Sequence, residues 1–199
     1  MKVIGITGPT GAGKTTALGA LVSLGALLID ADAVYHDLTV SSQPMREELC
    51  HRFGDVYDGQ VLDRKKLGAI VFQDPKALED LNAITHKYVD EETGARIETA
   101  RREGRPAAAI DAIALVESSL GRYCDCTVAV TAPEELRIKR IMNREGISEE
   151  YARMRVQAQK SSTWFSEHCD YTLESTEEDT IERFSQKALV LFRRILEEN

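Results

Sequence analysis

The residues from Gly8 to Thr15 read Gly-Pro-Thr-Gly-Ala-Gly-Lys-Thr, a full match to the pattern G-x-x-x-x-G-K-[ST]. Each residue type there has a chemical reason. Gly11, Ala12 and Gly13 let successive backbone N–H groups turn inward as an anion-binding nest, and a helix opening at Lys14-Thr15-Thr16 adds its dipole. Lys14 is a point charge that reaches the outer phosphates, and the Thr15 hydroxyl is a hard oxygen ligand suited to Mg²⁺. The apolar strand before the motif and the apolar-spaced helix after it supply the context that a chance Gly-rich turn lacks. A nucleoside triphosphate with Mg²⁺ is therefore expected on Gly11 to Thr16.

What happens to the triphosphate depends on the acids. Two apolar runs end in Asp, Ala26 to Asp30 and Ala107 to Asp111. Ligands of open α/β sheets bind at the carboxyl ends of strands, so both acids are expected at the site. The first run continues to Asp32, placed to accept a proton from an attacking hydroxyl, while a helix N-cap before Ala33 fits it equally well. Asp111 could orient metal-bound water or contact substrate, or be a buried structural acid. Arg137, Arg140 and Arg144 share a helical face and are expected to act as a lid that neutralises a transferring phosphoryl group and excludes water. The chain has no Asn/Thr-Lys-x-Asp segment for reading guanine, which favours a kinase over a signalling GTPase.

These residues need elements to hold them. Short apolar runs at Lys2–Thr7, Ala26–Asp30, Ala107–Ile113, Cys126–Thr131 and Tyr171–Glu174 alternate with helical patterns, which predicts a parallel sheet covered on both faces. The fold class expected is α/β, a three-layer P-loop kinase fold with a five-stranded parallel sheet, a helical acceptor-binding insert and a helical lid. One domain over 1–199 is predicted, with a core of 1–32, 105–133 and 168–199, the insert at about 33–104 and the lid at about 134–167. Within the insert Asp74-Pro75 reads as a break, and Glu79 to Arg102 as one long helix. Glu177-Glu178-Asp179 reads as the acidic first turn of the last helix.

The chain has 199 residues, 43% of them hydrophobic and 29% charged, with 25 Lys+Arg against 33 Asp+Glu and a net charge of −8. That balance makes the chain a poor candidate for sequence-independent nucleic-acid binding, which needs Lys/Arg to neutralise phosphates, so any polyanion site must be locally positive. No apolar run reaches the roughly 20 residues of a membrane span. Four Cys without metal-ligand spacing fit reduced thiols, and a cytoplasmic protein is expected. His51 and His168 read as solvent-facing, Trp164-Phe165 as packing, and Leu189, Phe192 and Leu196 as core contacts at helical spacing.

The ordered set of motifs resembles the dephospho-CoA kinase family from Val3 to about Ser175. The marks are Ile6-Thr7-Gly8 into the loop, Leu24-Gly25, Ile29-Asp30-Ala31-Asp32, Leu62-Asp63-Arg64, Leu67-Gly68, Val71-Phe72 and Leu81-Asn82-x-Ile84-x-His86. Asp111 with Leu115 and Glu117, Cys124-Asp125, Arg140, Arg144 and Gln159 complete them. The resemblance implies ATP-dependent phosphorylation of the ribose 3′-hydroxyl of dephospho-CoA. It makes Asp32 the base, Lys14 and Arg140 catalytic, and Arg144 a further nucleotide contact. Acceptor contacts would come from His36, His86, Asp111, Leu115 and Glu117, with a surface histidine an equal alternative for His36. Partners implied are ATP and dephospho-CoA, with no nucleic acid and no membrane, in a monomer or weak homo-oligomer. Lys87, the 112–116 segment and Ser175 depart from the family pattern. A kinase of another hydroxyl acceptor and a catalytically lapsed ATP-binding regulator are the alternatives.

Overall fold

The computed structural model describes residues 1–198, which form two units: Met1–Ile29 with Ile97 onward, and Asp30–Arg96. The first unit is built on a five-stranded parallel sheet. Its strands are β1 (Lys2–Thr7), β2 (Leu27–Asp30), β5 (Ala107–Asp111), β6 (Cys126–Thr131) and β7 (Tyr171–Glu174), in the order β2-β5-β1-β6-β7. β1 lies at the centre, pairing Ile4 with Ala109 on one side and with Cys126 on the other. A strand lies on each of its edges and packing covers its faces, so five of its six residues are buried and the run is continuous rather than alternating. Helices α1 (Lys14–Ser23) and α9 (Ile181–Glu197) pack together over the sheet through Ala17, Leu21, Ala188, Phe192 and Ile195.

Two further helices, α6 (Glu134–Glu145) and α7 (Glu149–Gln157), form a hairpin after β6. Gly146 ends α6 in the left-handed conformation at φ 66°, and the Ser148 hydroxyl caps α7 by accepting the Tyr151 N–H. The hairpin has its own small core of Ile138, Ile141, Ala152 and Val156. α8 (Ser162–Glu167) follows, and its Phe165 is buried.

The second unit contains α2 (Ala31–Ser41), α3 (Gln43–Phe53), α4 (Arg64–Val71) and most of α5 (Pro75–Arg102). Met45, Leu49, Phe53, Leu62, Leu67 and Ile84 form its core. It is not wholly helical. A hairpin of β3 (Tyr57–Asp58) and β4 (Val61–Leu62) turns at Gly59, and strands of two residues are too short to leave a period in a sequence.

Three predicted boundaries move by more than one residue. β5 ends at Asp111 rather than Ile113, because the Thr7 hydroxyl donates to the Ile113 carbonyl and the chain then turns at Ala114–Ser118. α5 begins at Pro75 rather than Glu79. Pro is favoured at a first helical position, and Asp74 caps the turn by accepting the Lys76 N–H at 2.9 Å. Glu177–Asp179 lies ahead of α9, not in its first turn, since Thr180 is the N-cap.

Candidate functional site

The loop between β1 and α1 is shaped by glycines that no other residue could replace. A Cβ on Gly8, at φ 140°, would stand 2.1 Å from the Val130 carbonyl oxygen. Gly13 sits at φ 108° as the N-cap of α1 and brings no side chain to satisfy the helix's first N–H groups. Those donors are left for an anion.

Around the loop the first unit gathers cations. Lys14 Nζ lies 3.1 Å from Asp111 Oδ1, both side chains being mostly enclosed. Strand register puts them there: Asp111 ends β5 opposite Ile6, one residue before β1 gives way to the loop. Arg140 donates through Nη1 to the Gly11 and Ala12 carbonyls at 3.2 and 3.3 Å, and through Nη2 to Ser175 Oγ at 2.8 Å. Burial pushes the Arg140 guanidinium below the usual arginine range, and Asp179 partly offsets this.

A cavity of about 380 Å³ opens here, lined by Gly11, Lys14, Thr15, Asp111, Arg140 and Arg144, among others. The exposed Thr15 hydroxyl and the Asp111 carboxylate are hard oxygens in that cavity, so the donor set fits a Mg²⁺ ion completed by phosphate oxygens and water. Next to it, Gly13, Thr16, Thr180, Ile181 and Phe184 line a largely apolar cavity of about 250 Å³. Such a slot suits the flat face of a nucleobase.

Two residues to which the sequence assigned no such role hold the loop in place. Arg137 is only 3% exposed, and its guanidinium donates to Thr10 O at 2.9 Å and to Gln159 Oε1 at 2.8 Å. Gln159 also donates to Thr10 Oγ1 and accepts the Thr10 N–H. Helical spacing placed Arg137 on a face with Arg140 and Arg144 but carried no signal of burial. Its expected lid role is corrected: Arg137 anchors the loop from beneath, and burial lowers its pKa. Arg155 was missed as well, although it lines the larger cavity.

The residues expected at the acceptor divide between the units. In the first, Leu115 is fully buried. Its Cδ2 would stand 2.5 Å from a Cβ at Gly5, so it is core packing and presents no surface to a substrate. Glu117 is exposed and lies 3.7 Å from Lys160, on a cavity of about 510 Å³ that Ile113, Ala114 and Phe165 also line. In the second unit, Asp30 is the N-cap of α2 and accepts the N–H groups of Asp32 and Ala33. The cap reading of Asp32 is thereby removed, because Asp30 does that work and leaves the Asp32 carboxylate on the exposed face. His36 shares that face one turn on, and its Nδ1 lies 2.8 Å from Arg64 Nη2. His86 is exposed.

Of the departures, Lys87 pairs with Glu48 at 3.0 Å and lies over the Tyr88 ring. Ser175 is fully buried and serves Arg140. His168 is exposed, as expected, and stacks on Trp164 with ring centres 4.4 Å apart. Among the described residues no helix is long and apolar enough to cross a membrane.

The family model described as dephospho-CoA kinase matches residues 2–179. A dephospho-CoA kinase of Symbiobacterium thermophilum is 40% identical over 163 residues, covering 81% of this chain and 68% of its own. One of Corynebacterium diphtheriae is 34% identical, covering 94% of this chain and 95% of its own. Among solved structures, TT1252 from Thermus thermophilus superposes with a TM-score of 0.78 at 30% identity, covering 99% of this chain and 98% of that one. A shikimate kinase from Acinetobacter baumannii shares the fold, with a TM-score of 0.56 at 19% identity over 100% of this chain and 96% of that one.

Proposed function

The chain belongs to the dephospho-CoA kinase family, and from that premise we propose that it transfers the γ-phosphoryl group of ATP to the ribose 3′-hydroxyl of dephospho-CoA, giving coenzyme A and ADP. The observation that carries this reading is the convergence of Lys14, Thr15, Asp111, Arg140 and Arg144 on one cavity at the glycine loop. Lys14 and Arg140 neutralise charge on the transferring group, while loop N–H groups hold the remaining phosphates. Arg144 adds a second cation from the lid over about 134–167. The ATP base occupies the slot beside Phe184 and Ile181.

Asp32, freed from capping by Asp30, takes the proton of the 3′-hydroxyl through a carboxylate oxygen. It stands at the start of the acceptor-binding insert, about 33–104. His36 and His86 from the insert, with Asp111 and Glu117 from the core, contact the acceptor, while the buried Leu115 contributes only core packing. Mg²⁺ held by Thr15 would supply charge neutralisation between the outer phosphates. We read the protein as a cytoplasmic monomer or weak homo-oligomer with no nucleic-acid or membrane partner.

The test is ADP release from ATP·Mg²⁺ with dephospho-CoA, adenosine or AMP as acceptor. Strong stimulation by dephospho-CoA alone, with coenzyme A as product, is the expected result. Equal stimulation by adenosine, or none by any acceptor while ATP still binds, overturns the assignment.

A further inference from the structure

The geometry points to Arg155 as an additional catalytic arginine, and to Glu145 as a carboxylate that competes with the nucleotide phosphates for Arg155 and Arg144. This rests on the triphosphate reading above and adds to it. Arg155 lies on α7 and lines the same cavity as Lys14, Arg140 and Arg144. Its Nη1 donates to Glu145 Oε2, while Arg144 Nη2 donates to Glu145 Oε1 at 2.6 Å. One carboxylate at the last residue of α6 thus bridges two guanidinium groups from the two lid helices. The two arginines hold the Glu145 carboxyl below its ordinary range, Arg144 contributing most.

The other arginines near the hairpin have different partners. Arg137 and Arg140 donate to loop carbonyls and to uncharged side chains. Arg153 is held by Glu135 and Glu149, and it is not among the residues lining the cavity. Among the described residues, only Arg144 and Arg155 both line the phosphate cavity and share a carboxylate.

That bridge is built to exchange. The side chains of Arg144 and Arg155 are 59% and 37% exposed, so the ion pairs are solvent-screened and weak. A triphosphate brings more charge and planar pairs of oxygens that match guanidinium forks. Without nucleotide, Glu145 keeps both cations at the cavity rim and damps their repulsion from Lys14 and Arg140. With nucleotide bound, they move to phosphate oxygens and Glu145 is released to solvent.

The competition predicts a sign. A carboxylate that merely positions the arginines would weaken nucleotide binding when removed, whereas a competitor would strengthen it. The experiment is calorimetric titration of the full chain with a non-hydrolysable ATP analogue and Mg²⁺, with adenosine as a phosphate-free control. Glu145→Gln should tighten analogue binding by about threefold at low salt, with the gain fading as salt rises. Arg155→Met should weaken it about tenfold and lower kcat, leaving adenosine binding unchanged. Circular dichroism confirms that each variant is folded. Weaker or unchanged binding in Glu145→Gln overturns the competition, and unchanged binding and kcat in Arg155→Met overturns the catalytic role. Failure of the unmodified protein to bind the analogue would sink the triphosphate reading itself.

Discussion

Two side chains show how far residue identity alone carries the chemistry. Asp32 is a first-turn acid of α2, and what frees it is its neighbour two positions earlier: Asp30 accepts both exposed N–H groups of the turn. Asp32→Asn should lower kcat about a hundredfold or more while leaving ATP affinity nearly unchanged, measured by steady-state assay beside calorimetry. Activity retained within a few fold would show that another group takes the proton. Leu115 makes the opposite case. A buried branched side chain lying on Gly5 contributes by filling space, so Leu115→Ala should cost about 2–5 kcal/mol in urea denaturation. A direct acceptor contact would instead raise the KM for dephospho-CoA at little cost in stability.

At the scale of elements, the phosphate loop is held by pieces far away in the chain. Arg137 from α6 and Gln159 beyond α7 grip Thr10, so the first helix of the α6–α7 hairpin is also the loop's support. Replacing Arg137 alone strands the Thr10 carbonyl without its buried donor, which costs stability as well as loop position. Arg137→Met should therefore raise the KM for ATP by about tenfold and lower the melting temperature by about 4–8 °C. A large drop in melting temperature with unaltered KM would show that Arg137 serves only the core.

The turn before α9 has a comparable anchor. The Asp179 carboxylate is enclosed and accepts the Thr176 N–H at 2.8 Å and Lys187 Nζ at 2.7 Å, which hold its pKa at about 2, below the ordinary carboxylate range. A folded-state pKa below the unfolded one means that this stabilisation is complete above the unfolded value, near 4, and is lost as pH falls through about 2. Denaturation of the unmodified protein and of Asp179→Asn should differ most at neutral pH and converge toward pH 2. A gap independent of pH would show that the carboxylate's charge does not matter.

Over the whole molecule, the net charge of −8 makes the cationic cavity at the glycine loop a local feature. Charge is concentrated where phosphates bind, and raised salt should weaken nucleotide affinity more than stability. The cysteines follow the same logic of place. Burial pushes the Cys124 thiol up to about 12 and the Cys126 thiol up to about 11, so neither is a ready thiolate at neutral pH. Alkylation by iodoacetamide at pH 8 should be slow for both in the folded protein and fast in urea. Rapid labelling of native Cys124 would contradict its enclosure.

Sequence alone determined what depends on near neighbours. The glycine loop, the Lys14-Thr15 pair, the acids that close two apolar strands and the α/β order are all written in runs of a few residues, because nests, caps and strand ends are local devices. Helical spacing likewise put Arg140 and Arg144 on one face. Tertiary structure decided what depends on partners far along the chain. Arg137 turned inward because Thr10 lies 127 residues away in sequence but beside it in space. Asp111 met Lys14 through the pairing of β1 with β5, and Leu115 was drawn into the core by the bare surface of Gly5. Arg155 joined the phosphate cavity only when the hairpin of α6 and α7 folded back on Glu145. Periodicity states which side chains share a face, but burial and ion pairing depend on what that face meets, and packing across the sheet is what fixes that.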